Sequence, residues 1–183
     1  MATAVEICSN ALVMVGHGPI ASFTDGGAGA NTASALYATT YESVLSQHRW
    51  RFASAKVALS KLTATPKNEW SNAFQLPSNY IIAIKVYPRV DYEIYEDKLY
   101  TNAESIDIDY VFKPDESKLP SYFQRLLEFS LASLFAIPVT DNSTKAEEYR
   151  KMTEEQLRRS RFTDSQARPT DAIVDSPFIE ARN

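Results

Sequence analysis

Read for spacing alone, the chain divides into helical stretches toward both ends and a strand-like stretch between them. Ala4, Ile7, Cys8, Ala11, Leu12 and Val15 recur at intervals of three and four, the period that places side chains on one face of a helix over residues 2–15. Gly16 ends the run. The same spacing returns over 31–48 in Ala33, Leu36, Tyr37, Thr40, Tyr41, Val44, Leu45 and His48, with Asn31 or Thr32 placed to cap the start. The stretch 119–137 is the most apolar: Leu119, Tyr122, Phe123, Leu126 and Leu127 form one stripe, and no charge follows from Phe129 onward. It predicts a core helix about 28 Å long. Pro120 suits its first turn, and Pro138 ends it, because a proline removes a donor and disfavours helical geometry in the residue before it. Residues 143–166 predict a charged, solvent-facing helix, opened by a Thr144/Glu147 capping box and laced with the four-apart pairs Glu147/Lys151, Glu154/Arg158 and Glu155/Arg159.

Between these lies a different texture. Residues 80–87 (YIIAIKVY) are β-branched and apolar, and Tyr92, Ile94 and Leu99 flank a polar tip at Glu96, Asp97 and Lys98, the pattern of a hairpin. In 106–112, Ile106, Ile108, Tyr110 and Phe112 alternate with Asp107, Asp109 and Val111, which predicts a strand with one wet, acidic face. The whole predicts an α+β fold, an antiparallel bundle of about four helices with an inserted small antiparallel β-sheet module. Residues 1–50 and 114–168 form the bundle, 51–113 the insert, and 169–183 an extended C-terminal arm.

Composition narrows the chemistry. Of 183 residues, one is cysteine and two are histidine, too few for an internal disulfide or a zinc site of Cys and His, so no metal or other cofactor is expected. The N-terminal stretch lacks a basic flank and carries Glu6, which argues against an export signal, and the uncharged half of 119–137 is too short to cross a bilayer, so no membrane anchor is expected. A net charge of −4 argues against a protein whose main task is gripping phosphates. All five glycines lie between Gly16 and Gly29, so mobility is expected in the 16–30 loop; without a preceding strand or a following Gly-Lys-Ser/Thr, GGAGAN reads as a linker rather than a phosphate loop. His48, on an apolar stripe, reads as a core imidazole rather than a catalytic one. Asp91, Glu93, Glu96, Asp97, Asp107 and Asp109 hold the residue types of a glycoside hydrolase, but at hairpin tips and outward positions they read as a solvated face. The cluster Arg158, Arg159 and Arg161 reads as hydrated, with DNA contact the alternative.

One resemblance runs along residues 2–167. Trp50-Arg51-Phe52-Ala53, Leu59, and Trp70-Ser71-Asn72-Ala73-Phe74-Gln75-Leu76-Pro77 come first, followed by the 92–101 hairpin and Ile108-Asp109-Tyr110-Val111. Leu131-Ala132, Leu134-Phe135-Ala136 and a charged helix with Tyr149 complete the set. In order and spacing it resembles the tail tubular protein A family, the portal-to-tail adaptors of short-tailed bacteriophages. Ser78-Asn79 stands where that family often has an Asp, and residues after Pro169 match nothing in it. The resemblance implies a structural virion protein of the tail, made in the host bacterial cytoplasm. It implies a homo-oligomeric ring of twelve copies that binds the portal protein and the tail nozzle protein, with genomic DNA passing through without specific binding and no enzyme activity. Interface contacts are expected from Ile173, Val174, Phe178, Ile179, Arg158 and Arg159, and an acidic channel or solvent face from Asp107 and Asp109. The alternatives are a tail-associated glycan hydrolase using the hairpin and strand carboxylates, and a related head-completion connector.

Overall fold

The computed structural model describes residues 3–64, 66 and 69–166. Helix α1 (Ala4–Val15) opens with a capping box in which Thr3 Oγ1 accepts from the Glu6 N–H at 3.2 Å and the Glu6 carboxylate accepts from the Thr3 N–H at 2.9 Å. It ends at Gly16, in the left-handed region at φ 93°.

Helix α2 (Gly27–Ser46) starts four residues before the expected point, and its N-cap is Gly26 rather than Asn31 or Thr32. The glycines at 27 and 29 therefore belong to a helix, not to a loop. A Cβ on Gly29 would lie 2.7 Å from the His17 ring, so glycine is needed for close approach of α2 to the preceding turn. Within that turn Asp25 Oδ2 accepts from the N–H groups of Ala21 (2.7 Å) and Ser22 (2.9 Å).

Helix α3 (Ser121–Thr140) runs through Pro138 and stops at Asp141, a non-glycine residue in the left-handed region at φ 47°. Pro138 is exposed in the last turn, where the one carbonyl it fails to bond can turn to water, so the helix tolerates it. Helix α4 (Ser143–Ser165) is capped by Asn142, whose side chain accepts from the Lys145 N–H at 2.9 Å; Thr144 is already inside the helix, so the expected Thr144/Glu147 box does not form.

The strands fall between α2 and α3 and make two antiparallel sheets. One has the order β1 (Ser54–Ala58), β7 (Asp107–Phe112), β4 (Tyr80–Tyr87); the other β2 (Ser60–Lys61), β3 (Asn72–Gln75), β6 (Lys98–Thr101), β5 (Tyr92–Tyr95). The fold is α+β. The three-stranded sheet is a middle layer. Its Val111 is fully buried in the helical core, with Ile81 and Ile84 packed alongside, while Ile108, Tyr110 and Val86 face Phe74, Leu76 and Leu99 of the other sheet. Val111 thus turns toward helices rather than water, which corrects the expected acidic face: only its outer end, at Asp107 and Asp109, escapes the helices.

The helical core is α3 surrounded: Phe123, Leu126, Leu127, Leu131 and Phe135 are fully buried. Trp50, also fully buried, meets Phe123 edge-on at 5.0 Å and donates from its indole to the Val44 carbonyl at 3.1 Å.

Candidate functional site

Two features gather side chains from distant parts of the chain. The first is a joint where α2 and α4 end and β1 begins. Asp164, 2% exposed, accepts from the Tyr122 hydroxyl at 2.8 Å and from the Arg51 N–H at 3.0 and 3.2 Å. His48 stands edge-on to Trp50, its Nε2 3.9 Å from the same carboxylate. Burial, reinforced by the Arg161 guanidinium and only partly offset by Asp164, holds the His48 imidazole below its ordinary pKa. Burial and the Asp164 hydrogen bond push the Tyr122 phenol up. A cleft of about 360 Å³ opens beside this joint, lined by His48, Arg49, Arg51, Ser54, Asp164 and Ser165. Of the cations at the joint, Arg49 binds Asp109 at 2.6 Å and Arg161 donates to the Gln47 carbonyl at 2.6 Å. The joint locks three elements together, and Asp164 was missed in the sequence because a polar residue in the last turn of a charged helix breaks no pattern.

The second feature is a valley of about 440 Å³ over α3, walled by α2 and α4. Leu36 and Val44 line one wall, Leu157 the other, and Leu134, 45% exposed, forms part of the floor. Four of the hydroxyls along it are turned onto their own helices: Thr39 and Thr40 donate to the Leu36 carbonyl, Ser133 to Ser130 and Thr153 to Tyr149. The valley surface is thereby more apolar than its composition suggests.

The residues singled out in the sequence are dispersed. Asp109 is largely covered and paired with Arg49, and Asp107 lies 3.6 Å from Lys56. Arg159 pairs with Glu155, while Arg158 is exposed on α4. Ile173, Val174, Phe178 and Ile179 lie outside the described residues. Of the hairpin carboxylates, Glu93 is held below the usual range by hydrogen bonds from Trp70 (2.9 Å) and Tyr95 (2.8 Å), and Asp97 by one from Gln75. A general acid for glycan cleavage requires the opposite shift. Among the described residues, no group of three or more His, Cys, Asp or Glu side chains is arranged to hold a metal, and no helix is long and apolar enough to cross a membrane.

No protein-family model matches the chain, and no curated protein matches it.

Proposed function

We propose that this chain is a structural subunit of a ring that joins the portal of a short-tailed bacteriophage to its tail nozzle. The sequence resemblance motivates the reading, and one structural observation supports it. Exposed apolar side chains occur on both parts of the fold: Val13, Leu134, Ile137, Met152 and Phe162 on the helices, and Val57, Ile82, Tyr87, Val90, Tyr92 and Tyr95 on and around the strands. A head-to-tail ring needs two different patches per subunit, one for each neighbour. The net charge of −4 suits a bore that lets DNA slide, since each phosphate gripped by a cation would add favourable counterion release and slow its passage. In this role the paired carboxylates are structural, and no residue acts in catalysis.

The test is reconstitution with the portal of the same phage. Negative-stain images should show a ring of this chain seated on the portal, and the ring should be lost on Tyr95→Asp together with Ile137→Asp, both at exposed positions. Absence of any complex at micromolar concentrations, or rings indifferent to both changes, would overturn the proposal.

A further inference from the structure

We propose that the outer face of α4 is a self-association surface, along which a second copy of this chain lays its own α4, antiparallel, about a two-fold axis level with Leu157. This does not rest on the ring reading.

The inner face of α4 is settled by its bonds. Gln156 and Ser160 donate to the Tyr122 carbonyl, Asp164 accepts from the Tyr122 hydroxyl, and Tyr149 donates to the Met14 carbonyl. The side turned away from these contacts carries Glu148, Met152, Glu155, Arg159, Phe162 and, at the cap, Gln166, every one of them exposed. Their spacing alternates four and three, the heptad seam by which one helix lies along another. A merely solvated face has no need of large apolar side chains in such a seam, yet Met152 is 46% exposed and Phe162 is 67% exposed.

The seam is complementary to itself. Residues equally far before and after Leu157 meet across the axis: Met152 lies five residues before it and Phe162 five after, Glu155 two before and Arg159 two after, Glu148 nine before and Gln166 nine after. Antiparallel pairing thus sets Met152 of each copy on Phe162 of the other, in two apolar layers about 15 Å apart. Between them Glu155 of each copy faces Arg159 of the other. These two side chains already pair within each helix. Across the axis each meets the opposite sign a second time, so the four charges alternate and no existing pair has to break. Parallel pairing in register would instead set Glu155 on Glu155 and Arg159 on Arg159. Arg158, exposed beside the axis, comes near its own mate, and Glu154 and Glu155 lie within a turn of it to offset that repulsion.

Met152 and Phe162 also count among the exposed apolar side chains of the ring reading. The pairing therefore belongs to the free chain and competes with assembly wherever a ring uses the same side chains. Tyr95 and Ile137, which test the ring, lie off α4, so the two readings fail separately.

The test is analytical ultracentrifugation of the full chain at up to about 200 μM, because two apolar layers and a charged centre suit a small, reversible interface. A monomer–dimer equilibrium is expected, with Phe162→Asp raising its Kd at least about tenfold. Glu155→Arg and Arg159→Glu should each leave the chain monomeric, since each sets like charges across the axis, and an equimolar mixture of the two variants should restore the dimer. All three changes fall at exposed positions, and melting temperatures near the parent's would show that the fold survives them. Three outcomes overturn the proposal: a parent chain that stays monomeric, association indifferent to Phe162→Asp, or a mixture of the two charge variants that forms no dimer.

Discussion

Asp164 shows how much one side chain can organise. Its carboxylate meets the Arg51 N–H and the Tyr122 hydroxyl, so that the 3-10 turn before β1, α3 and α4 share one acceptor. Asp164→Ala leaves both donors without that partner in a largely enclosed site, and is expected to cost about 2–3 kcal/mol in urea unfolding. Asp109→Asn, whose Arg49 partner is half exposed, should cost less than about 1 kcal/mol. Equal effects would mean that the joint is not the stronger tie. His48 adds a pH dependence. Its folded-state pKa is lowered, so the unfolded chain binds the proton more readily; the native state keeps its full stability above the ordinary value of about 6.5 and loses some as pH falls through that value toward the folded one. Solvent screening keeps the loss small, because His48 is only partly covered. His48→Gln should flatten the melting temperature between neutral and mildly acidic pH relative to the parent.

The start of α2 rests on a contact between elements. Gly29 is buried in its first turns, with the His17 ring where a Cβ would stand. Gly29→Ala would gain helix propensity of about 1 kcal/mol in an isolated helix, but here the clash should make it destabilising. His17→Ala should remove the clash, so the double variant is expected to be more stable than Gly29→Ala alone. A cycle without coupling would show that the imidazole simply moves aside. At the other end, α3 continues through Pro138 because Asp141 supplies the left-handed stop: the Asp141 N–H reaches the Ile137 carbonyl at 2.9 Å and the Asn142 N–H the Ala136 carbonyl at 3.1 Å. Asp141→Gly should be neutral or stabilising in thermal melts, since glycine adopts this conformation without strain.

At the scale of the molecule, the three-stranded sheet is shared by two cores. Val111 belongs to the helical core and its neighbours Ile108 and Tyr110 to the core between the sheets, so neither core keeps its wall if the other melts. Helices and strands should therefore unfold together. Native-state hydrogen exchange in rising denaturant should bring amides of α3 and of β6 to a common opening energy; strands that open well before the helices would show that residues 51–113 behave as a separate unit. Neutralising Asp107 and Asp109 together should leave a glycan hydrolysis assay unchanged, and turnover abolished by those changes would overturn the structural role.

The sequence by itself determined the existence and type of most elements, though not of β1, β2 and β3: four helical stripes, the 92–101 hairpin and the alternating strand at 106–112 stand as α1 to α4, β5–β6 and β7. Side-chain period is a local property, so burial of an apolar stripe can be read without knowing what covers it. The ends were less legible. Gly27 and Gly29 look like loop until His17 is placed against them, and Pro138 looks like a stop until Asp141 is seen to provide one. The faces of the middle sheet also needed the third dimension, because alternation says that Val111 opposes Tyr110 but not that helices lie beyond it. Least legible were the joint at Asp164 and the valley over α3. Arg51 and Asp164 are 113 residues apart, and the valley exists only because α2 and α4 flank one face of α3, so both arise from tertiary packing that no local pattern encodes.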